Sequence, residues 1–398
     1  MKMKIKMKLS LLLSATTIAF SSSVIAVEPA VYATDSGVGI LPLLNAGYKY
    51  DNNIFSVGSD TKGSSIFVLA PSVQFSLDDG INNYQLDLGV ESGTFLDSSD
   101  DNYLIGNLGF TSHLEASSSS RFDLVLEANA DVEPRGTGIT EGLGDVADEP
   151  LSYNDQLAKL TYEYGSLTSS GRIAFMGRYY NKNYTNFPGI TQFRNFNQST
   201  LGSTFFYTTN ASTDAFVEIK GGPIKYDVSG PISRDSDMLS ALVGVTWEAT
   251  ALTSGTFKIG QEQKDFTDAT REDFKGISWE GNIDWKPLTY TTVSLNTSRA
   301  AKDPDVQGDY ISESIYGANW QHQWNEKTTS ILSFSYTRDE YKGVTRLDKT
   351  NSLNAKINYE FRRWVDVALY IEYTDQDSTN EFIVYDKNVV GLDFTFSL

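Results

Sequence analysis

The feature that most constrains this chain is a two-residue alternation of apolar and polar side chains, held over long runs and repeated from about residue 38 to the last residue. In the final run Val390, Leu392, Phe394, Phe396 and Leu398 take one parity while Gly391, Asp393, Thr395 and Ser397 take the other. A β-strand sends successive side chains to opposite faces, so each such run makes a strand with one greasy and one polar side. Just before it, Val365, Val367, Leu369, Ile371 and Tyr373 oppose Asp366, Ala368, Tyr370, Glu372 and Thr374. Much earlier, Phe122, Leu124, Leu126, Ala128, Ala130 and Val132 oppose Asp123, Val125, Glu127, Asn129, Asp131 and Glu133. Strands of soluble sheets average about five or six residues, whereas a tilted strand needs about nine to eleven to cross a bilayer. Length therefore selects a membrane-spanning barrel over a soluble β-protein.

The connections alternate as such a barrel requires. Short polar links at Asp78-Asp79-Gly80, Ser117 to Ser120, Leu167 to Ser170, Asn210 to Thr213, Ala251 to Ser254, Asn325-Glu326-Lys327 and Arg362-Arg363 would face the periplasm. Longer ones at Asp51 to Gly63, Pro134 to Leu151, Asn183 to Asn195, Val228 to Asp235, Asp265 to Asp273, Lys302 to Asp309, Tyr341 to Leu347 and Asp375 to Tyr385 would face outside. The fold expected is all-β: a transmembrane antiparallel up-and-down β-barrel over residues 38–398, with about 18 strands, within a range of roughly 16 to 20. Aromatic residues gather near the strand ends, at Tyr48 and Tyr50, Tyr162 and Tyr164, Tyr179 and Tyr180, Trp247, Trp285, Trp320, Trp324 and Trp364, where they would form girdles at the two membrane interfaces.

The N-terminus agrees with export. Lys2, Lys4, Lys6 and Lys8 precede an apolar run from Leu9 to Phe20 and a small-residue exit at Val24-Ile25-Ala26, the pattern of a signal peptide over 1–26. That run is shorter than the roughly 20 residues of a spanning helix. Residues 27–37 are then a short periplasmic segment. Cysteine is absent, which removes disulfides as the device that holds an exported fold together. Without the four leader lysines, 28 of the 32 basic residues face 51 acidic ones, a net charge near −23 for the exported chain. Such acidity excludes nucleic acid as a natural partner.

Catalytic chemistry has little to work with. His113 and His322 are the two histidines, placed on the fourth and fourteenth strands of the expected wall, and neither lies in a metal-binding or nucleophile-activating pattern. An enzyme reading would rest on one of them; no catalytic residue, metal ligand or cofactor is assigned. The glycines of Gly136-Thr137-Gly138 and Gly221-Gly222-Pro223 are loop or bulge residues and not a phosphate cradle. Acidic stretches around Glu141, Asp148 and Glu149, around Asp268 and Asp273, and around Asp303, Asp305 and Asp309 lack the spacing of a calcium loop and read as solvated loop tips. The polar faces nominate the lumen lining: Asp123, Glu127 and Asp131 on one strand, Arg172 and Arg178 on another, Asp366 and Glu372 near the end. A barrel of about 18 strands is wide enough for an aqueous channel unless loops fold in.

Two segments of the first hairpin, Tyr48-Lys49-Tyr50-Asp51-Asn52-Asn53-Ile54-Phe55 and Ile66-Phe67-Val68-Leu69-Ala70-Pro71-Ser72-Val73, resemble the β-barrel porin type 2 family, outer-membrane proteins found with exopolysaccharide or capsule biosynthesis genes. The resemblance implies a Gram-negative outer-membrane barrel and a role in exporting or accommodating polysaccharide; it carries over no active-site motif. Gly391, Phe394, Phe396 and Leu398 resemble the C-terminal signal by which the outer-membrane assembly machinery recognises its substrates. The expectation is a porin-like channel that passes polysaccharide or another carbohydrate. The competing expectation is a plugged structural or adhesive barrel whose acidic loops bind matrix polysaccharide or lipopolysaccharide. Partners are then outer-membrane lipid and lipopolysaccharide, the barrel assembly machinery and, through the resemblance, polysaccharide and its export components.

Overall fold

The computed structural model describes residues 31–397 apart from positions 145, 211, 231 and 251. The signal peptide expected over 1–26 and Leu398 of the assembly signal lie outside these residues. A two-residue strand, β1 (Tyr32–Ala33), pairs with the start of the first long strand. The long strands are β2 (Gly39–Asp51), β3 (Ser64–Asp78), β4 (Asn83–Phe95), β5 (Tyr103–Ser117), β6 (Ser120–Glu133), β7 (Leu151–Tyr164), β8 (Gly171–Tyr184), β9 (Phe196–Asn210) and β10 (Thr213–Tyr226). They continue as β11 (Ser236–Thr250), β12 (Thr253–Phe266), β13 (Phe274–Leu288), β14 (Thr291–Lys302), β15 (Ile311–Asn325), β16 (Thr328–Tyr341), β17 (Leu347–Arg362), β18 (Val365–Ser378) and β19 (Tyr385–Ser397).

Each long strand pairs antiparallel with the next, and β19 returns to β2 through Leu392↔Tyr48, Phe394↔Ala46 and Phe396↔Leu44, closing an 18-stranded barrel. Closure matters because lipid offers no hydrogen bonds: a barrel without an edge satisfies its backbone internally. Gly391, Phe394 and Phe396 of the nominated assembly signal sit on this seam. Phe394 is partly exposed on the outer face, the Phe396 ring lies 6.3 Å from Trp364, and Gly391 faces inward against the Tyr370 ring, where a Cβ would collide.

The alternation read from the sequence assigns the faces. Leu369, Ile371 and Tyr373 of β18, Leu353 and Ile357 of β17, and Leu332 and Phe334 of β16 are large apolar side chains left exposed, as a lipid-facing surface requires. Their neighbours of opposite parity point inward. Tyr373 and Trp364 are nine positions apart on this surface, about 30 Å along the strand at ~3.3 Å per residue. A tilt of roughly 40° shortens that to about 23 Å, close to the ~25 Å apolar band of an outer-membrane barrel. Tyr48, Tyr179, Tyr316, Tyr336 and Tyr373 make one girdle, and Trp285, Tyr290, Trp324, Tyr359 and Trp364 the other. Tyr180 departs from the girdle expected of it: it follows Tyr179 directly, so it must face the lumen.

The two ends differ as expected, with one connection at each end unread in the sequence. Residues 96–102, carrying a short 3-10 turn at Ser99–Asp101, form an outer loop between β4 and β5, and residues 289–290 form a tight turn between β13 and β14.

Candidate functional site: the lumen and its extracellular roof

All seven residues nominated for the lumen lie on the inward parity of their strands. Asp123 accepts a hydrogen bond from His113 Nδ1 at 2.7 Å and remains 47% exposed. Asp131 accepts from the Tyr153 hydroxyl at 3.1 Å, and Glu127 and Glu372 are exposed, the latter accepting from Asn354 at 2.9 Å. Arg172 is held by Glu163 at 2.9 Å and Asp214 at 2.8 Å, and Glu163 also takes Arg121. The Arg172 charge is thus spent within the wall. Arg178 instead donates to Gln198 at 3.3 Å and stacks on Tyr180 with 5.3 Å to the ring centroid. Asp366, on β18, stands almost opposite β8 across the barrel.

The inner face of β8 forms an axial ladder from the periplasmic to the outer end: Arg172, Arg178, Tyr180, Lys182, Tyr184. Register places Lys159 of β7 directly beside Arg178. Near the outer end rings run round the wall, with Tyr153 5.6 Å from Tyr184, Tyr180 5.7 Å from Phe196, and Phe196 5.5 Å from Tyr226. Lys182 sits 3.9 Å from the Tyr153 centroid and 4.7 Å from that of Tyr184. This mixed aromatic and cationic surface was missed in the sequence: Tyr180 was read as interface girdle, and Tyr153, Tyr184, Phe196 and Tyr226 were not singled out; counting parity from Tyr179 was the signal that finds it.

Above the wall the outer loops interlock. Arg135 grips Asp101 through Nε at 2.7 Å and Nη2 at 2.6 Å, and lies 4.5 Å over the Phe55 ring, joining three loops at once. Further along the same loop, 134–150, Glu141 meets Arg346 at 2.7 Å. Arg346 belongs to the β16–β17 connection, eight strands away the short way round an 18-stranded wall, so this loop reaches across the mouth. Arg346 is 4% exposed and also grips both oxygens of Asp348. From the other side, Arg194 donates to the Asp305 carbonyl at 2.5 Å, Arg234 to the Pro304 carbonyl, and Arg271 to the Asp309 carbonyl at 3.0 Å. Asn53, Thr140, Ala147 and Thr191 are almost wholly buried although all four lie in or beside loops. Solvated tips would not bury them. Some acidic loop residues are therefore internal ties: Glu141 holds Arg346, Asp303 holds Lys264 at 2.7 Å, and Asp273 accepts the Phe266 N–H at 2.7 Å, while Asp148, Glu149 and Asp305 are exposed, as solvated tips are.

Burial pushes the Glu141 carboxyl above its ordinary range; the Arg346 guanidinium opposes this, while Asp348 and Asp305 add to it. One guanidinium already occupied by Asp348 cannot fully compensate a second carboxylate. His113 faces the lumen, and His322 lies on the lipid side among Trp320, Trp324 and Tyr290, with ring centroids 5.4, 4.3 and 5.4 Å away. Among the described residues no group of three or more His, Cys, Asp or Glu is placed to hold a metal ion.

Comparison with known proteins places this geometry. The family model described as "Putative beta-barrel porin 2" matches residues 39–398, the whole of the wall. No curated protein matches the chain. Among solved structures, Pseudomonas aeruginosa OccK5 (OpdH) is 12% identical, with 90% of this chain and 98% of that one covered at a TM-score of 0.47. Pseudomonas aeruginosa OccK3 (OpdO) is 10% identical over 90% and 95% at 0.48, and Acinetobacter baumannii OccAB3 is 10% identical over 91% and 100% at 0.47.

Proposed function

This chain belongs to the β-barrel porin 2 family and is a porin-like channel of the outer membrane, and on that premise we propose that it passes small polar solutes, carbohydrates above all, along the inner face of β7–β10. The observation that carries this reading is the ladder of alternating rings and cations on β8, flanked by Tyr153, Phe196 and Tyr226. A pyranose has an apolar C–H face and a rim of hydroxyls. Rings offer the first a partner, and Arg178, Lys182 and Lys159 donate to the second without requiring a charged solute. Glu127 and Glu372, exposed on other arcs of the wall, add acceptors for the same hydroxyls.

The resemblance to a family found with exopolysaccharide genes suggests polymer transit, and the roof bears on it. With Glu141 joined to Arg346 and Arg135 to Asp101, the mouth suits a solute of one or a few sugar units; a polysaccharide chain would have to displace loop 134–150. The same roof favours a second reading, a closed structural barrel whose outer loops bind polymer. Planar-bilayer recording with maltose-series oligosaccharides separates the two. Current that oligosaccharide interrupts, with the block weakened roughly tenfold by Tyr153→Ala plus Tyr180→Ala, supports the channel. A silent barrel that binds polymer, or block untouched by those changes, contradicts it. The acidic excess of the chain predicts cation preference in the same recordings.

A further inference from the structure

The outer wall carries a cationic cleft that the channel reading does not use. Register places Trp279, Arg299, Ser314, Arg338 and Lys349 in one row across β13–β17. All take the lipid-facing parity, shared with the exposed Ile277, Leu295, Tyr316, Phe334 and Leu353. The row sits near the outer ends of its strands. One step toward the membrane, Tyr316 and Tyr336 stack with centroids 6.3 Å apart at 26°, and below them the surface is aliphatic. Trp279, Arg299, Ser312, Ser314, Arg338, the two tyrosines and, at one side, the Glu340 carboxylate line a cleft of about 220 Å³.

Three cations in a row on the lipid side of so acidic a chain need an explanation. An arginine facing hydrocarbon costs about 2–4 kcal/mol at the midplane and about 0–1 at the interface, so the row belongs at headgroup level. Its charges are incompletely answered by the protein. Among the described residues Arg299 has no carboxylate within ion-pair distance; its Nε donates to Ser312 at 3.3 Å and its guanidinium lies 5.5 Å from the Trp279 centroid. Arg338 is 49% exposed, and its carboxylate partner Glu340 stands 3.6 Å away while Lys342 holds that same group at 2.5 Å. Arg299 and Arg338 flank Ser314 on alternate strands, about 10 Å apart at the backbone, and a phosphate between them can be reached by both.

We propose that the Arg299–Ser314–Arg338 cleft binds a lipid-anchored phosphate, that of the phosphorylated glucosamine headgroup of the outer-leaflet glycolipid. The guanidiniums grip the phosphate, Lys349 adds charge, and the tyrosine pair meets the sugar and the first part of the acyl chains. A soluble phosphate would use only the cations and leave the aromatic floor unoccupied.

Native mass spectrometry of the detergent-purified full-length protein with diphosphorylated lipid A tests this. The expected result is retained lipid A, lost by roughly tenfold or more in Arg299→Gln plus Arg338→Gln, with the wild-type protein discriminating against fully dephosphorylated lipid A. Heat-modifiable gel migration checks that the variant remains a barrel, and the dephosphorylated arm keeps the test decisive on the unaltered protein. Equal retention of the two lipids, or undiminished binding by the double variant, overturns the proposal. So does displacement of lipid A by millimolar inorganic phosphate alone, which would make this a soluble-anion site.

Discussion

The two ends of the barrel solve the same problem of joining antiparallel strands in opposite ways. At the periplasmic end, links such as Asn325 to Thr328 are tight turns closed by local bonds, with Lys327 N–H donating to the Asn325 side chain at 2.9 Å. At the outer end, loops from distant strands are joined by buried arginines, and the Glu141–Arg346 pair links positions 205 residues apart. The periplasmic turns are held by contacts within each link, whereas the outer loops are held by contacts that reach across the mouth. Local turns are replaceable one by one; the roof is a network, and removing one partner leaves others stranded.

That contrast sets the order of expected effects. Arg346→Ala strands Asp348 and Glu141 together, and breaking a buried pair in this way costs about 3–5 kcal/mol. Residues 138–144 should then exchange amide hydrogens as an open loop; unchanged protection would show that the roof does not depend on this tie. Gly136→Val comes next. Gly136 has φ +81 and its Cβ would strike the Phe55 carbonyl, so about 1–3 kcal/mol of loop docking should be lost, read as protease cutting within 134–150 while the barrel stays intact. Smallest in free energy is Asn325→Ala at the other end, within about 0.5 kcal/mol and without effect on conductance; a large change there would break the comparison.

A pH effect sharpens the same contrast. The Glu141 carboxyl is raised by burial in the closed roof and would return to its ordinary range in an open one. The closed state therefore binds the proton more tightly. Its advantage is complete below the ordinary value and is lost as pH rises through the raised one, so mild acid should favour closure. Conductance falling on acidification, and losing that dependence in Glu141→Gln, is the expected result; acid-induced opening would contradict the assignment.

How much of this was legible in the sequence follows from the range of the forces involved. The alternation in Val365–Thr374 and Val389–Ser397 is written residue by residue, so strand length, face and closure could be read directly. The 96–102 loop escaped because Leu96 prolongs the apolar parity of β4, and the 289–290 turn because Lys286-Pro287-Leu288 reads as more strand. The inward aromatic surface was recoverable, since Tyr179 and Tyr180 cannot share a face. The roof was not. Nothing local to Glu141 points to Arg346, and an acidic loop that ties to a distant arginine has the same composition as one that waves in solvent. The lipid-facing cations were hidden for a related reason: Arg299, Arg338 and Lys349 become neighbours only through register.

If loop 134–150 roofs a channel that is otherwise open, single-channel recording should reveal it. The wild-type protein is compared with a variant in which residues 136–144 are replaced by a two-glycine link. Low conductance is expected for the wild type and a rise of roughly threefold or more in the variant, as an 18-stranded wall regains its width. Equal conductance in the two proteins, at the level of an unobstructed barrel, would contradict it.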